Sequence, residues 1–344
     1  MTFRKCNTFV TIVVVAFIYM LFVGLVTIYK YFISVNVVKT AYVFIHTGSS
    51  FEDVVRILRD EKVLKDEQLF ITGAKHADYT TIRSGKYRLV KGMRNRELIR
   101  VLASGQQVPV NLTIAGNIRS VEKLASIISR QIEADSAVLS SAFNGRRTIE
   151  KLGFTADNVL SLFIPNTYEV YWNISADGVM KRMKREYDRF WNEKRMGKLK
   201  DTGLSREEVI VMASIVNEET SKTDEMPKIA GVYMNRVNKK MKLDADPTLK
   251  FAMGDFTLKR ILDIHKEINS PYNTYKNTDL PPGPICVPSI AAIDAVLGYE
   301  KHDYYYFCAK ADFSGYHAFS KTLAQHNQYA NDYHNALNKL KIYR

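Results

Sequence analysis

The chain has 344 residues, 46% of them hydrophobic and 25% charged, and a formal net charge of +13. This length calls for two or more folded units, and the composition excludes a disordered chain, a collagen and a polytopic membrane protein. Three cysteines (Cys6, Cys286, Cys308) without a C-x-x-C exclude a disulfide scaffold, and the basic excess asks for an anionic partner.

From Cys6 to Tyr29 there is no charged residue, and Phe9 to Ile28 is a strongly apolar run of 20 residues. As a helix it spans roughly 30 Å, one bilayer core. A cleaved signal peptide has a shorter apolar region and a small-residue cleavage site. Here Tyr29, Tyr31 and Phe32 follow the run like an interfacial belt, so it reads as an uncleaved anchor. Arg4 and Lys5 precede it, which keeps the N-terminus in the cytoplasm and places the rest of the chain outside. Nucleic acid then drops out as a partner. Cell-wall polymers and the outer membrane face remain.

Residues 43–58 (VFIHTGSSFEDVVRIL) and 87–102 (YRLVKGMRNRELIRVL) align without a gap, Gly48 on Gly92 and Leu58 on Leu102. Each reads as a short strand, a Gly turn and an amphipathic helix. Ser49 with Glu52 suggests a capping box for the first helix; Asn95 and Gly105 suggest the cap and the end of the second. A looser third copy runs from Leu112 to Ile128. Such units make a small α+β module that either spaces the rest of the chain or binds glycan. Further on, Ile164–Tyr168 reads as a turn with an exposed aromatic ring. Ala176 to Lys200 reads as one long charged helix, with Met180, Met183 and Tyr187 in its apolar stripe.

Ser205 and Glu208 form a capping box before a helix that is apolar nearly all round, Val209–Val216, and it ends in Asn217-Glu218-Glu219-Thr220. A buried helix that delivers a carboxylate at its C-terminus raises that group's pKa by desolvation and by the negative end of the helix dipole. A raised pKa is what a general acid needs at neutral pH. At about 100° per residue, Glu219 falls at the margin of the face carrying Val209, Met212, Ala213 and Val216, with Glu218 roughly opposite. Glu219 is therefore the preferred acid and Glu218 the fallback.

The segment Ala213-Ser-Ile-Val-Asn-Glu-Glu219-Thr220 resembles the catalytic segment A-S-I-V-E-K-E-T of the YceG-like endolytic murein transglycosylases, the MltG family, departing from it at Asn217 and Glu218. Ala230-Gly-Val-Tyr-Met-Asn-Arg236 is similar to A-G-V-F-x-N-R, and Leu243-Asp-Ala-Asp-Pro-Thr248 to L-Q-S-D-P-T. Ser270-Pro-Tyr-Asn-Thr-Tyr275 with Leu280-Pro-Pro-Gly-Pro-Ile285 resembles S-P-Y-N-T-Y and L-P-P-G-P-I. Tyr304–Phe307, His317–Ser320 and His326-Asn327 echo Y-L-Y-F, H-x-F-S and H-N.

The resemblance implies a lytic transglycosylase that cleaves the bond between N-acetylmuramic acid and N-acetylglucosamine and leaves 1,6-anhydro ends, with no cofactor and no metal. Peptidoglycan strands would be the substrate, the bilayer the anchor, and peptidoglycan synthases the neighbours. Asn235, Asp246, Thr248, Tyr272, Asn273, Tyr275 and Asn327 are the expected sugar-binding residues, as amides, hydroxyls and flat rings suited to pyranoses. The other readings are a non-catalytic scaffold of wall synthesis and a muramidase that uses water.

The expected organisation is a cytoplasmic N-terminus (1–8), a transmembrane helix (9–30), a LysM-like β-α module (40–110), a mostly helical connection (111–204) and a catalytic domain (205–344). The class is α+β, with short strands around a cleft in a mainly helical catalytic domain. The expected location is the bacterial inner membrane, with the catalytic domain on the periplasmic side.

Overall fold

A computed structural model describes residues 2–258 and 261–339. Met1 and residues 259, 260 and 340–344, which belong to the expected first and last segments, lie outside the described residues. The fold is mixed but mostly helical. Helix α1 (Thr2–Ile28) runs into a π-helical turn, Tyr29–Ile33. Across the two, Val10–Ile33 has a mean hydropathy of 2.7 and is long and apolar enough to cross a membrane.

Then follow β1 (Ala41–Ile45), α2 (Phe51–Asp60), α3 (Glu67–His76), β2 (Gly85–Leu89), α4 (Asn95–Ser104), β3 (Val110–Ile114) and α5 (Val121–Ser129). Next come α6 (Ser136–Asn144), α7 (Arg146–Lys151), β4 (Asn166–Val170), α8 (Ala176–Phe190), α9 (Glu193–Thr202) and α10 (Arg206–Glu219). The chain ends with α11 (Met226–Asn238), α12 (Asp246–Met253), α13 (Asp263–Lys266), α14 (Ile290–Leu297), β5 (Tyr306–Ala309), β6 (His317–Ser320) and α15 (Leu323–Lys339). Among the described residues the strands form three two-stranded sheets, β1–β2, β3–β4 and β5–β6.

The chain divides into two compact units, Met1–Asn111 with Glu169–Ile174, and Leu112–Tyr168 with Ser175–Arg344. In the first, β1 pairs antiparallel with β2, Ala41 opposite Leu89 and Ile45 opposite Gly85. The alternation of each strand sends Val43, Ile45, Tyr87 and Leu89 into a core with Val54 and Leu58 of α2, Phe70 of α3, and Leu98 and Leu102 of α4. Gly48 and Gly92, aligned in the repeat, both take a positive φ, 83° and 91°, a conformation open to glycine at little cost. The capping of α2 differs by one residue from expectation: Ser50 and Asp53 close the box, because Ser50 and not Ser49 is the last extended residue. Asn95 does not cap α4. It lies inside the first turn, fully buried, and donates to Tyr31 O at 2.8 Å and Leu69 O at 2.9 Å. Gly105 ends the helix in the left-handed conformation, as its position suggested.

In the second unit, α10 is the buried centre, with every side chain from Val209 to Val216 in the core against α11 and α14. Its capping box is the expected one, Ser205 with Glu208. Two expectations fail here. The charged stretch from Ala176 is two helices, α8 and α9, because Trp191 leaves helical geometry and Asn192 caps α9 by accepting from Arg195 N. Tyr168 is not an exposed turn residue. It lies on β4, is 5% exposed, and donates to Ile164 O. Cys286 and Cys308 are both free thiols.

Candidate active site

Helix α10 ends at Glu219, and Thr220 leaves helical geometry as its C-cap. The residues before it are fixed by their own bonds. Ser214 Oγ accepts from Ile285 N at 3.0 Å, and Asn217 Oδ1 accepts from Ser289 N at 3.0 Å. Glu218 points away from the cavity described below. Its carboxylate receives both arms of Arg119, at 3.0 and 2.8 Å, and Arg119 also lies over the Phe256 ring. The two glutamates are thus divided between an ion pair and a cavity, where the helical wheel had only set Glu218 roughly opposite the apolar face.

Glu219 opens onto a cavity of about 660 Å³, whose walls include Tyr233, Arg236, Asp244, Asp246, Lys266, Tyr275, His317, His326 and Asn327. Tyr233, 1% exposed on α11, donates from its hydroxyl to Glu219 Oε1 at 2.6 Å. Burial pushes the Glu219 carboxyl up to about 7, and the negative charges of Asp246 and Glu218 add to this. The Tyr233 hydrogen bond and the Lys250 charge oppose it. The same burial and the facing carboxylate raise the Tyr233 phenol well above its usual range, so it remains a donor. Asp246 begins α12, followed by Pro247, which suits a first turn. It accepts a hydrogen bond from Tyr275 Oη at 2.5 Å.

The hairpin β5–β6 and the start of α15 form the opposite wall. His317 is held there by Glu225, which is 6% exposed and accepts from His317 N at 2.8 Å and pairs with Nδ1 at 2.7 Å. His326 stacks on Tyr306, and burial together with the Arg236 charge lowers its pKa.

Residues 43–332 match the sequence model of the YceG-like family. The chain belongs to the YceG-like family. An endolytic murein transglycosylase of Bacillus subtilis is 30% identical over 315 residues, covering 87% of this chain and 86% of the relative. One of Streptococcus pneumoniae is 26% identical over 306 residues, covering 80% of this chain and 55% of the relative, so the match spans about half of that protein. The crystal structure of a yceG-like protein from Listeria monocytogenes aligns with a TM-score of 0.57 at 28% identity, over 84% of this chain and 98% of that one.

The family-like motifs divide between cavity and scaffold. Asp246, Tyr275 and Asn327 line the cavity with Glu219. Asn235, Thr248, Tyr272 and Asn273 do not line it. Asn235 donates to His302 O and Tyr304 O, at 2.7 and 2.9 Å, and so ties α11 to the approach to β5. Asn273 is fully buried and spends its amide on Lys266 O, Ile268 O and Tyr275 N. Thr248 is fully buried between Ala245 O and Thr274 Oγ1. Tyr272 packs on Phe251 at 4.7 Å. For Asn235, Asn273 and Thr248, backbone supplies polar groups that must be satisfied once buried, and these side chains satisfy them, whereas Tyr272 contributes ring packing. Tyr233, Arg236 and His317 reach the cavity, although the sequence reading gave them no role. Their signal lay in the Y-x-N-R and H-x-F-S motifs.

Proposed function

We propose that this chain is a membrane-anchored endolytic peptidoglycan lytic transglycosylase in which Glu219 is both the catalytic acid and the catalytic base. The observation that carries the reading is a carboxyl at the end of a buried helix, raised to about 7, facing a cavity large enough for sugar rings. The names of the curated relatives point to the same activity.

Tyr233 occupies Oε1, which leaves Oε2 to carry the proton. That proton passes to the glycosidic oxygen as the bond from muramyl C1 breaks. The carboxylate so formed takes the proton of the muramyl 6-hydroxyl as its oxygen closes on C1. The products are a 1,6-anhydro end and a free N-acetylglucosamine hydroxyl, and no water is consumed. Because the internal hydroxyl replaces water, one carboxyl serves twice and the usual pairing of two catalytic carboxylates is relaxed. Asp246 supplies a negative charge in the same cavity, suited to the positive charge that develops at C1. Tyr275 offers a ring face, and Asn327 an amide, to the sugars.

The first unit is read as a LysM-like module, on the strand–helix–helix–strand order of β1, α2, α3 and β2. The N-terminus is read as cytoplasmic and the catalytic unit as lying outside the inner membrane, on the strength of Arg4 and Lys5. Peptidoglycan synthases are the expected neighbours.

The test is digestion of purified peptidoglycan by the full chain, with mass analysis of the ends. Anhydro-muramyl ends from wild type, falling by about 10²- to 10⁴-fold in Glu219→Gln, are expected. Ends that have gained water would instead identify a muramidase, and no new ends from folded wild type would identify a scaffold.

A further inference from the structure

The π-helical turn at the end of the apolar helix is built into the first unit. Asn95 of α4 holds Tyr31 O through its amide, and its own backbone N–H donates to Ser34 O at 3.0 Å. Asn36 Nδ2 donates to Asn95 Oδ1 at 3.0 Å and fixes that amide in turn. The junction leaves a groove of about 590 Å³, walled by Ile28, Phe32 and Ile33 from the helix end and by Ala77, Ile99 and Ala103 from the module. Arg96 and Arg100 stand at the same groove, one turn apart on α4 and both exposed. Among the described residues neither guanidinium has an ion-pair partner. Glu97, the acid between them, is turned back to Arg94 N at 3.1 Å.

We infer that this groove binds one anionic phospholipid of the bilayer, with an acyl chain against Ile28, Phe32 and Ile33 and the headgroup phosphate between Arg96 and Arg100. The inference rests on reading Val10–Ile33 as a membrane span and is independent of the cleavage chemistry. Three features select this occupant. The apolar wall is the last turn of the span, so it lies where acyl chains meet headgroups. Two unpaired guanidiniums stand at that level, and guanidinium grips a phosphate in a two-pronged geometry. Basic side chains at a span end favour anionic lipid by an amount that makes two of them worth on the order of thirtyfold in affinity. A soluble anion would use the arginines and leave the apolar wall empty, whereas a neutral lipid would use the wall alone.

The test is native mass spectrometry of the full chain released from nanodiscs of phosphatidylcholine with phosphatidylglycerol. One retained phosphatidylglycerol, preferred by on the order of thirtyfold, is expected. Arg96→Gln/Arg100→Gln should abolish the preference, and Ala77→Trp, which fills the groove from an exposed position, should abolish retention with both arginines intact. Equal retention of the two lipids would overturn the inference. So would a preference that survives the double substitution, or displacement of the lipid by inorganic phosphate at equal affinity.

Discussion

At the scale of single residues, the division of labour between Glu218 and Glu219 decides the chemistry. Glu218→Gln weakens the pairing of a half-buried Arg119, whose side chain keeps 31% of its exposure. Thermal unfolding should report a loss of about 1 kcal/mol, a discounted value for a pair that still sees solvent, and cleavage should stay near the wild-type rate. Loss of cleavage in a folded Glu218→Gln would move the acid to the wrong glutamate. Tyr233→Phe tests the other side of the site. The phenol's hydrogen bond lowers the Glu219 pKa, so its removal raises it further. Because the acid works protonated, the alkaline limb of the pH–rate profile should move up, by about one pH unit for a hydrogen bond to a charged group. A downward shift would show that Tyr233 does not hold Glu219 in this way. The two glutamates were legible in the sequence as a pair. The wheel argument favoured Glu219 but could not see Arg119, 99 residues away in the chain. Nor can side-chain type tell whether an asparagine faces sugar or a carbonyl: Asn327 lines the cavity, while Asn235 and Asn273 close on backbone.

At the scale of elements, α10 was readable because capping and apolar character agreed, and the Gly turns of β1–α2 and β2–α4 because glycine at a positive φ leaves a clear mark. The break between α8 and α9 was missed because charged periodicity continues through Trp191 and Asn192. The only local sign was a capping residue inside a helical pattern. The proline-rich stretch from Leu280 to Ile285 resembles the family's L-P-P-G-P-I. Its glycine has a further reason to be there: a Cβ on Gly283 would run into the carbonyl of Asp157. That obstacle is backbone, so it cannot be relieved by a rotamer change. Gly283→Ala should therefore destabilise the fold by about 1–3 kcal/mol, the usual cost of overpacking, measured by denaturant unfolding. An unchanged midpoint would mean that the loop shifts freely around this contact.

At the scale of the whole molecule, the excess charge of +13 has to be weighed against the pairing of the basic side chains. On α8, Lys181, Arg182, Lys184 and Arg189 each meet an acid three or four residues away, so this stretch contributes little field. At the cavity, Arg236 pairs with Asp244 and Lys266 with Asp263. The exposed cations Lys239, Lys240 and Lys242 follow α11, just before cavity residues Leu243 and Asp244, and form no ion pair among the described residues. Such cations attract a polymer that carries stem-peptide carboxylates over roughly a screening length, about 10 Å at 0.1 M salt and 3 Å at 1 M. Raising ionic strength over that range should therefore raise KM for peptide-bearing glycan strands and leave kcat nearly unchanged, because screening acts on the approach of the strand and not on the proton transfer at Glu219 once the strand is bound. Strands stripped of their stem peptides should lose the salt dependence altogether. If KM is flat in salt for intact strands, the basic excess does not steer the substrate, and the membrane is the remaining anionic surface for it to face.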